Sequence, residues 1–385
     1  MTRTVTLVVT GPDGAVLGQA EPFESAVPWW QEVGDFGRGV QVLRLLHADR
    51  PAPPGGHVTY LAQVTESFEG ALHPYGESLR THPKRAPYAE VGGPAASIAW
   101  ATAVVPGTTA HQQRTWNLSA IWRLDDADGH PVAWLKQVPS FFRHEPYALR
   151  MVAAVAPHLV PELIADGEHG RMLLAHAPGE DRYGAGPELC ARIAEAFHPL
   201  QAHFAADPTP LAGIPDARLA VEPFARVAEP HFATVPGLAD LVEALPERLK
   251  AIAECGLPDT LVHGDLHPGN VRTDDTGRLT IMDWGDCTYG NPALDILRLT
   301  DGRTGGSAPH DETLAAWADR WKQTVPGCDP LRAAELMRPV APLRSALIYA
   351  TFLDNIEPSE WPYHAADVPE RLAAAVRSIR GLSGE

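Results

Sequence analysis

The chain has 385 residues, enough for two or three domains at about 150 residues each, and 45% of them are hydrophobic, which supports ordinary packed cores. Its formal net charge of −17 repels phosphate backbones and anionic lipid, so it argues against general nucleic-acid or membrane binding, while an acidic cleft would favour a cationic ligand. The four cysteines, Cys190, Cys255, Cys287 and Cys328, form no CxxC pair and fit a reduced interior. With no signal-peptide pattern at Met1–Thr10 and no apolar run near the ~20 residues a bilayer crossing needs, a cytoplasmic location is expected. The sequence assigns no oligomeric state.

In chain order, Val5–Thr10 alternates as a strand does, Gly11-Pro12-Asp13-Gly14 is a turn, and Ala15–Gly18 completes a hairpin. Val40–Leu46 and Val58–Val64 are further strands, separated by the breaker Pro51-Ala52-Pro53-Pro54-Gly55-Gly56. Residues 1–105 thus predict a small α+β domain with a linker. It carries a faint resemblance to a Nudix-like fold but lacks the Glu-rich helix that holds metal in active Nudix hydrolases, so a structural or substrate-shaping role is expected. Trp29-Trp30 fits packing better than ligand stacking. The Pro- and Gly-rich stretch Leu72–Gly107 reads as a linker or irregular wrap. Strands resume at Leu118–Leu124 and Val132–Val138 around the turn signal Asp125-Asp126-Ala127-Asp128-Gly129, and a helix is predicted over His144–Val155. Later helical patterns cover 188–205, 238–255, 311–324 and 331–352. The expected order is the small domain, a strand-rich lobe over 106–178 and a helical lobe over 179–385.

Chemistry concentrates in His263-Gly264-Asp265-Leu266-His267-Pro268-Gly269-Asn270 and in Ile281-Met282-Asp283-Trp284-Gly285. Phosphoryl transfer needs a carboxylate that accepts or orients the attacking hydroxyl's proton. It also needs oxygen ligands that hold magnesium against the triphosphate, because charge spreads over the phosphoryl oxygens in the transition state. An aspartate, four intervening residues and an asparagine supply the base and one metal ligand from a single tight turn, and Asp265 and Asn270 have that spacing. Val271–Arg272 and Leu279–Met282 are the predicted strands of a hairpin that delivers Asp283 as the second metal ligand. The order His-x-Asp-x-x-x-x-Asn and then Asp-Trp-Gly matches the kinase arrangement, with Trp284 in place of Phe. Two unrelated acidic loops would not share that order and a hairpin-length gap. A kinase site also needs a strand lysine paired with a helix glutamate. Lys136, in Val132-Ala133-Trp134-Leu135-Lys136, and Glu145 are the candidates. A solvated strand-end lysine and an ordinary helix-surface glutamate are the rival readings.

With Asn291-Pro292-Ala293-Leu294-Asp295-Ile296, these motifs resemble those of the aminoglycoside phosphotransferase and choline kinase family, from roughly Arg114 onward. The resemblance implies an α+β, two-lobed protein-kinase-like fold behind the N-terminal domain. It implies that Asp265 is the catalytic base, that Asn270 and Asp283 bind Mg2+, that Lys136 contacts the nucleotide phosphates with Glu145 as its partner, and that His263 and Asp295 brace the catalytic loop. Met172–Gly179 resembles the hinge that meets adenine, which places Leu174 and His176 at the cofactor. Three departures stand out. No GxGxxG precedes Lys136; relatives with such degenerate loops keep a serine near the phosphates, which makes Ser119 the candidate, and GTP stays open beside ATP as donor. Asn291 stands where relatives often carry Asp. His267 replaces the lysine usual in protein kinases, which favours a small-molecule acceptor.

For the acceptor, Asp286 and the acidic, aromatic stretch Asp354, Glu357, Glu360 and Trp361 are candidates. Clustered carboxylates would suit an amine-bearing sugar or another cation; the plain alternative is a solvated acidic loop. The expected function is ATP- and Mg2+-dependent transfer of the γ-phosphate to a hydroxyl of a small molecule such as an aminoglycoside, an amino sugar or a related metabolite. The rivals are a kinase acting on a peptide or protein and a catalytically silent kinase-like scaffold. The set Asp265, Asn270, Asp283 and Lys136 argues against the scaffold, and the lack of an Ala-Pro-Glu segment after Asp283 argues against a conventional protein kinase.

Overall fold

In the computed structural model, which describes residues 2–300 and 311–382, the first strand, β1 (Arg3–Thr10), is buried on both faces. Val5, Leu7 and Val9 join a cluster with Trp30, Tyr60 and Tyr363, while Val8 joins Leu43 and Leu61 on the other side. Two-sided burial places β1 inside a sheet. Each such side chain contributes about 1.5–3 kcal/mol relative to exposure. The sheet is completed by β2 (Val16–Ala20), β3 (Phe23–Ser25), β4 (Val40–Ala48), β5 (Gly56–Val64) and β6 (Leu72–His73), in the order β4-β5-β1-β2-β6 with β3 also on β1. β1 and β5 run parallel and the other pairs antiparallel. Trp30 is fully buried, its indole donating to the Gly55 carbonyl at 2.7 Å, whereas Trp29 is half exposed.

The stretch expected to be an irregular wrap contains a helix, α1 (Gly93–Val104). Its Ala-rich sequence has almost no polar face and therefore no 3.6-residue periodicity to read. α1 packs on a second, antiparallel sheet, made of β7 (Thr109–Trp116), β8 (Ser119–Asp125), β9 (Pro131–Gln137), β10 (Leu163–Gly167) and β11 (Arg171–Ala175) in the order β10-β11-β9-β8-β7. The Ser97 hydroxyl donates to the Gln137 side chain at 2.6 Å, over a core that includes Trp122, Leu135 and Leu173. The edge strand β7 is tied to the first sheet. Val33 N–H donates to Gln113 O and Thr115 N–H to Gln31 O, both at 3.0 Å, and the Gln112 amide both donates to and accepts from the Val42 backbone at 2.8 Å. Residues 1–105, expected as a domain of their own, therefore share one compact unit with the five-stranded sheet. Unit 1 runs to Arg143 and adds Leu163–His176 and Tyr349–Ala366.

Unit 2 takes His144–Glu162, Ala177–Ile348 and the chain from Asp367. Its elements are α2 (Glu145–Val155), β12 (Glu180–Asp181), α3 (Pro187–Ala206), α4 (Val221–Ala228), α5 (Leu238–Glu243), α6 (Leu245–Glu254), β13 (Thr260–Val262), β14 (Val271–Thr273), β15 (Leu279–Ile281), β16 (Thr288–Gly290), α7 (Ala293–Thr300), α8 (Asp311–Thr324), α9 (Pro330–Met337), α10 (Val340–Asn355) and α11 (Asp367–Leu382). The last turns of α10 belong to unit 1. Each of the predicted helices over 238–255 and 331–352 is two helices. Pro246 opens α6, and Pro339, with no N–H to donate, separates α9 from α10. β12, β14 and β15 form one small sheet, β13 and β16 another. Among the described residues, no helix is long and apolar enough to cross a membrane.

Candidate active site

The loop after β13 is fastened by one buried carboxylate. Asp295, on α7, accepts from the backbone N–H groups of His263 at 2.9 Å and Gly264 at 3.0 Å and from the Gln201 side chain at 3.1 Å. Burial pushes Asp295 up to about 6, against the pull of those two backbone donors. Gly264 has φ of +87°, and a Cβ there would stand 2.2 Å from the Asp286 carbonyl, so only glycine fits. His263 is fully buried and pushed down to about 4 by burial, hence neutral near pH 7. Its Nε2–H donates to Met282 O at 2.9 Å and its Nδ1 faces the Asp265 N–H at 3.4 Å, which fixes the tautomer. The ring packs edge-on against Trp284 at 4.8 Å.

Asp265 is only partly buried and is aimed by three groups. Its Oδ1 accepts from Arg298 Nε at 2.7 Å, and its Oδ2 accepts from Asn270 Nδ2 at 3.0 Å and faces His267 Nε2 at 3.4 Å. Burial works to raise its pKa, but the hydrogen bonds from His267 and Arg298 and the Arg298 charge outweigh burial and hold the carboxyl well below the usual range. His267 has its own anchor, since Nδ1 accepts from Gly269 N–H at 3.1 Å. Arg298 escaped the sequence reading, although it lies three residues after Asp295 on α7 and so shares its face. Gln201 left no sequence signal.

β14 and β15 pair in antiparallel register as expected. At the end of the hairpin the exposed Asp283 takes the left-handed conformation, φ +61°, which turns the chain into Trp284. Trp284 is fully buried; its indole donates to Ile281 O at 2.9 Å and its backbone N–H to Glu145 Oε1 at 3.2 Å. Glu145 is therefore a buried anchor of this turn and not a surface charge. Asn270 spends its Nδ2 on the backbone and side chain of Asp265, so its Oδ1 is the atom it can offer a cation. An amide oxygen and a carboxylate are hard donors that fit magnesium. Asp286 lies next to a buried guanidinium, Arg344, which donates to Thr288 Oγ1 at 3.0 Å. Asn291 accepts from Ala293 N–H at 3.0 Å and so opens α7.

The remaining cofactor candidates lie on the five-stranded sheet of unit 1. Lys136 is buried in β9, in register with Ile121 and Met172. Ser119 begins β8, and its hydroxyl accepts from the Trp116 indole at 3.1 Å. Leu174 is buried in β11. His176, where the chain leaves unit 1 for unit 2, donates its N–H to Val132 O at 3.0 Å and accepts from the Trp134 indole at 3.0 Å.

The acidic stretch expected to meet the acceptor is largely occupied. Glu357 accepts two hydrogen bonds from Arg85, at 2.9 and 2.8 Å, and lies 3.5 Å from Arg44. Glu360 accepts from Leu45 N–H at 3.2 Å and is pushed up to about 8 by burial. Both are buried in unit 1. Charge counted along the sequence could not reveal a partner such as Arg85, 272 positions earlier. Asp354 and Trp361 are exposed, the indole donating to Leu353 O at 3.2 Å.

Known proteins share this arrangement at the level of fold. The chain is similar to a macrolide 2'-phosphotransferase from Brachybacterium faecium at 18% identity and a TM-score of 0.50, over 73% of this chain and 98% of that one. A choline/ethanolamine kinase family protein from Mesorhizobium loti matches at 18% identity and a TM-score of 0.51, over 75% and 99%. The choline kinase LicA from Streptococcus pneumoniae matches at 14% and 0.54, over 75% and 98%. The model of the phosphotransferase enzyme family matches residues 116–333, more than half of the chain and the whole of the Asp265–Asp295 constellation; the chain belongs to that family.

Proposed function

We propose that the protein transfers the γ-phosphoryl group of ATP, or of GTP, to a hydroxyl of a small-molecule acceptor such as an aminoglycoside, an amino sugar or a related metabolite, with Mg2+ as cofactor. The observation that carries this reading is Asp265, an ionised carboxylate oriented by Arg298, Asn270 and His267 in the same loop that offers Asn270 Oδ1 as a hard ligand. Asn270 and Asp283 would hold the metal, which would neutralise charge on the phosphoryl oxygens. Lys136 and Ser119 are assigned to the nucleotide phosphates, and Leu174 and His176 to the base. The acceptor hydroxyl donates to Asp265. Its oxygen forms the new bond to the γ-phosphorus as the bond to the β–γ bridging oxygen breaks. A carboxylate held so strongly ionised is a weak base. It therefore positions the hydroxyl and takes the proton late, which suits a loose transition state. Asp286 stays as an acceptor contact. Glu357 and Glu360 do not: the charge of Glu357 is answered by Arg85 and Arg44, and Glu360 is buried, bonded to Leu45 N–H and raised to about 8.

Titration calorimetry of the full chain with ATP, with and without magnesium, tests the reading. The expected result is binding that strengthens with magnesium, and loss of that strengthening in Asp283→Ala. Equal magnesium-dependent affinity in the variant would remove Asp283 from the metal site. Nucleoside diphosphate release across a panel of amino sugars, aminoglycosides and nucleosides then identifies the acceptor.

A further inference from the structure

The turn between β7 and β8 is two residues, Asn117 and Leu118, and neither is glycine. Glycine-rich loops approach phosphates through backbone freedom; this turn is instead closed by side chains. Asn117 is 5% exposed. Its Oδ1 accepts from His364 Nε2 at 2.8 Å and its Nδ2 donates to Glu360 O at 3.4 Å, so amide orientation and imidazole tautomer fix one another. On the strands beside it, the Tyr88 hydroxyl donates to Trp116 O at 2.9 Å and the Trp116 indole donates to Ser119 Oγ at 3.1 Å. His364 is 3% exposed among Trp116, Tyr349, Phe352 and Tyr363. Burial drives its pKa down to about 3, so the ring stays neutral and keeps its Nε2–H for Asn117.

We propose that Asn117 and His364 are positioning residues for phosphotransfer: the pair locks the β7–β8 turn in one conformation, so that the segment Tyr349–Ala366 sets the nucleotide grip that glycine flexibility sets elsewhere. This rests on the reading of β7–β8, with Ser119, as the phosphate side of the nucleotide site. A turn ordered before binding spares the ligand the cost of ordering it. Removing the pin therefore weakens nucleotide binding without touching a group that meets the nucleotide.

The test uses the full chain with Asn117→Ala, His364→Leu and His364→Gln, the last of which keeps an N–H where imidazole Nε2 stood. Two quantities are read: hydrogen exchange of peptides spanning 116–119 in the free protein, and calorimetric affinity for magnesium ATP. Faster exchange and a roughly tenfold loss of affinity are expected in Asn117→Ala and His364→Leu, as for the loss of one or two buried hydrogen bonds, with both restored in His364→Gln. If His364→Leu does not fold, Asn117→Ala removes the same bond and leaves the aromatic cluster intact. Unchanged exchange overturns the lock, and a loosened turn with wild-type affinity overturns its role in the grip. A wild-type protein that binds no magnesium nucleotide overturns the phosphotransfer reading, while the exchange data still decide the lock.

Discussion

The His263–Asn270 loop of unit 2 and the β7–β8 turn of unit 1 are both held by buried hydrogen bonds, but from different distances along the chain. The loop is fastened from nearby: Asn270 reaches Asp265 across 5 positions, Asp295 reaches His263 across 32, and Arg298 reaches Asp265 across 33. The turn is fastened from afar, with Asn117 meeting Glu360 and His364 across 243 and 247 positions. Restraints written within a few dozen residues survive as a spacing that can be read. Restraints that join the two ends of a chain leave no spacing, although their local energetics are of the same kind.

Asp265→Asn breaks the locally held region most severely. The amide keeps its size and can still accept from Arg298, but its N–H faces the Asn270 donor and cannot take a proton. Phosphoryl transfer to the acceptor is expected to fall about 100- to 10,000-fold while calorimetric nucleotide affinity holds. Turnover at the wild-type rate would show that the loop's design serves something other than proton acceptance.

The remotely held region should fail in stability before it fails in chemistry. Arg85→Leu takes both hydrogen bonds from the buried Glu357 carboxylate and leaves it only Arg44, at 3.5 Å; removing one partner of a buried pair costs about 3–5 kcal/mol. Denaturant unfolding measures it, and Arg85→Lys, which keeps the positive charge beside Glu357, should lose less. Arg85→Leu within about 1 kcal/mol of wild type would mean that the pair is not desolvated as described.

The smallest effect sharpens the contrast through pH. Glu360 is raised from 4.5 to about 8 in the folded chain, so the folded state holds the extra proton between those values. Its contribution to stability is full below about 4.5 and is lost as pH rises through about 8. His263 and His364, lowered to about 4 and about 3, act the other way, adding stability as pH rises toward the ordinary histidine value. Glu360→Gln removes only the first of these. Relative to wild type its stability should grow between pH 5 and 8, and parallel curves would refute the assignment.

How much could be read in advance follows from the same distinction. The hairpin β14–β15, the helix α2, the strands β8 and β9 and the loop from His263 to Asn270 announce themselves through periodicity, turn residues and motif spacing. α1 did not, because alanine on nearly every side erases the period. Nor did the membership of residues 1–105 in the same unit as the five-stranded sheet, because β7 is joined to the loop at Gln31–Val33 by backbone bonds and to β4 by the side chains of Gln112 and Thr115, which no pattern distinguishes. The acidic stretch at Glu357 and Glu360 was visible as charge, and its meaning changed once Arg44 and Arg85 stood beside it.

That unit 1 is drawn from three separated stretches, the last being Tyr349–Ala366, has a consequence during synthesis. A ribosome adds roughly 5–20 residues per second, so the first two sheets wait several seconds to tens of seconds before Tyr363 and His364 emerge. Through that interval Trp30 and Trp116 lack the aromatic partners that cover them in the finished protein, and Asn117 has nothing from His364 to accept. The nascent chain thus offers a sticky aromatic face to any holdase within reach, and the turn assigned to nucleotide is among the last features to set.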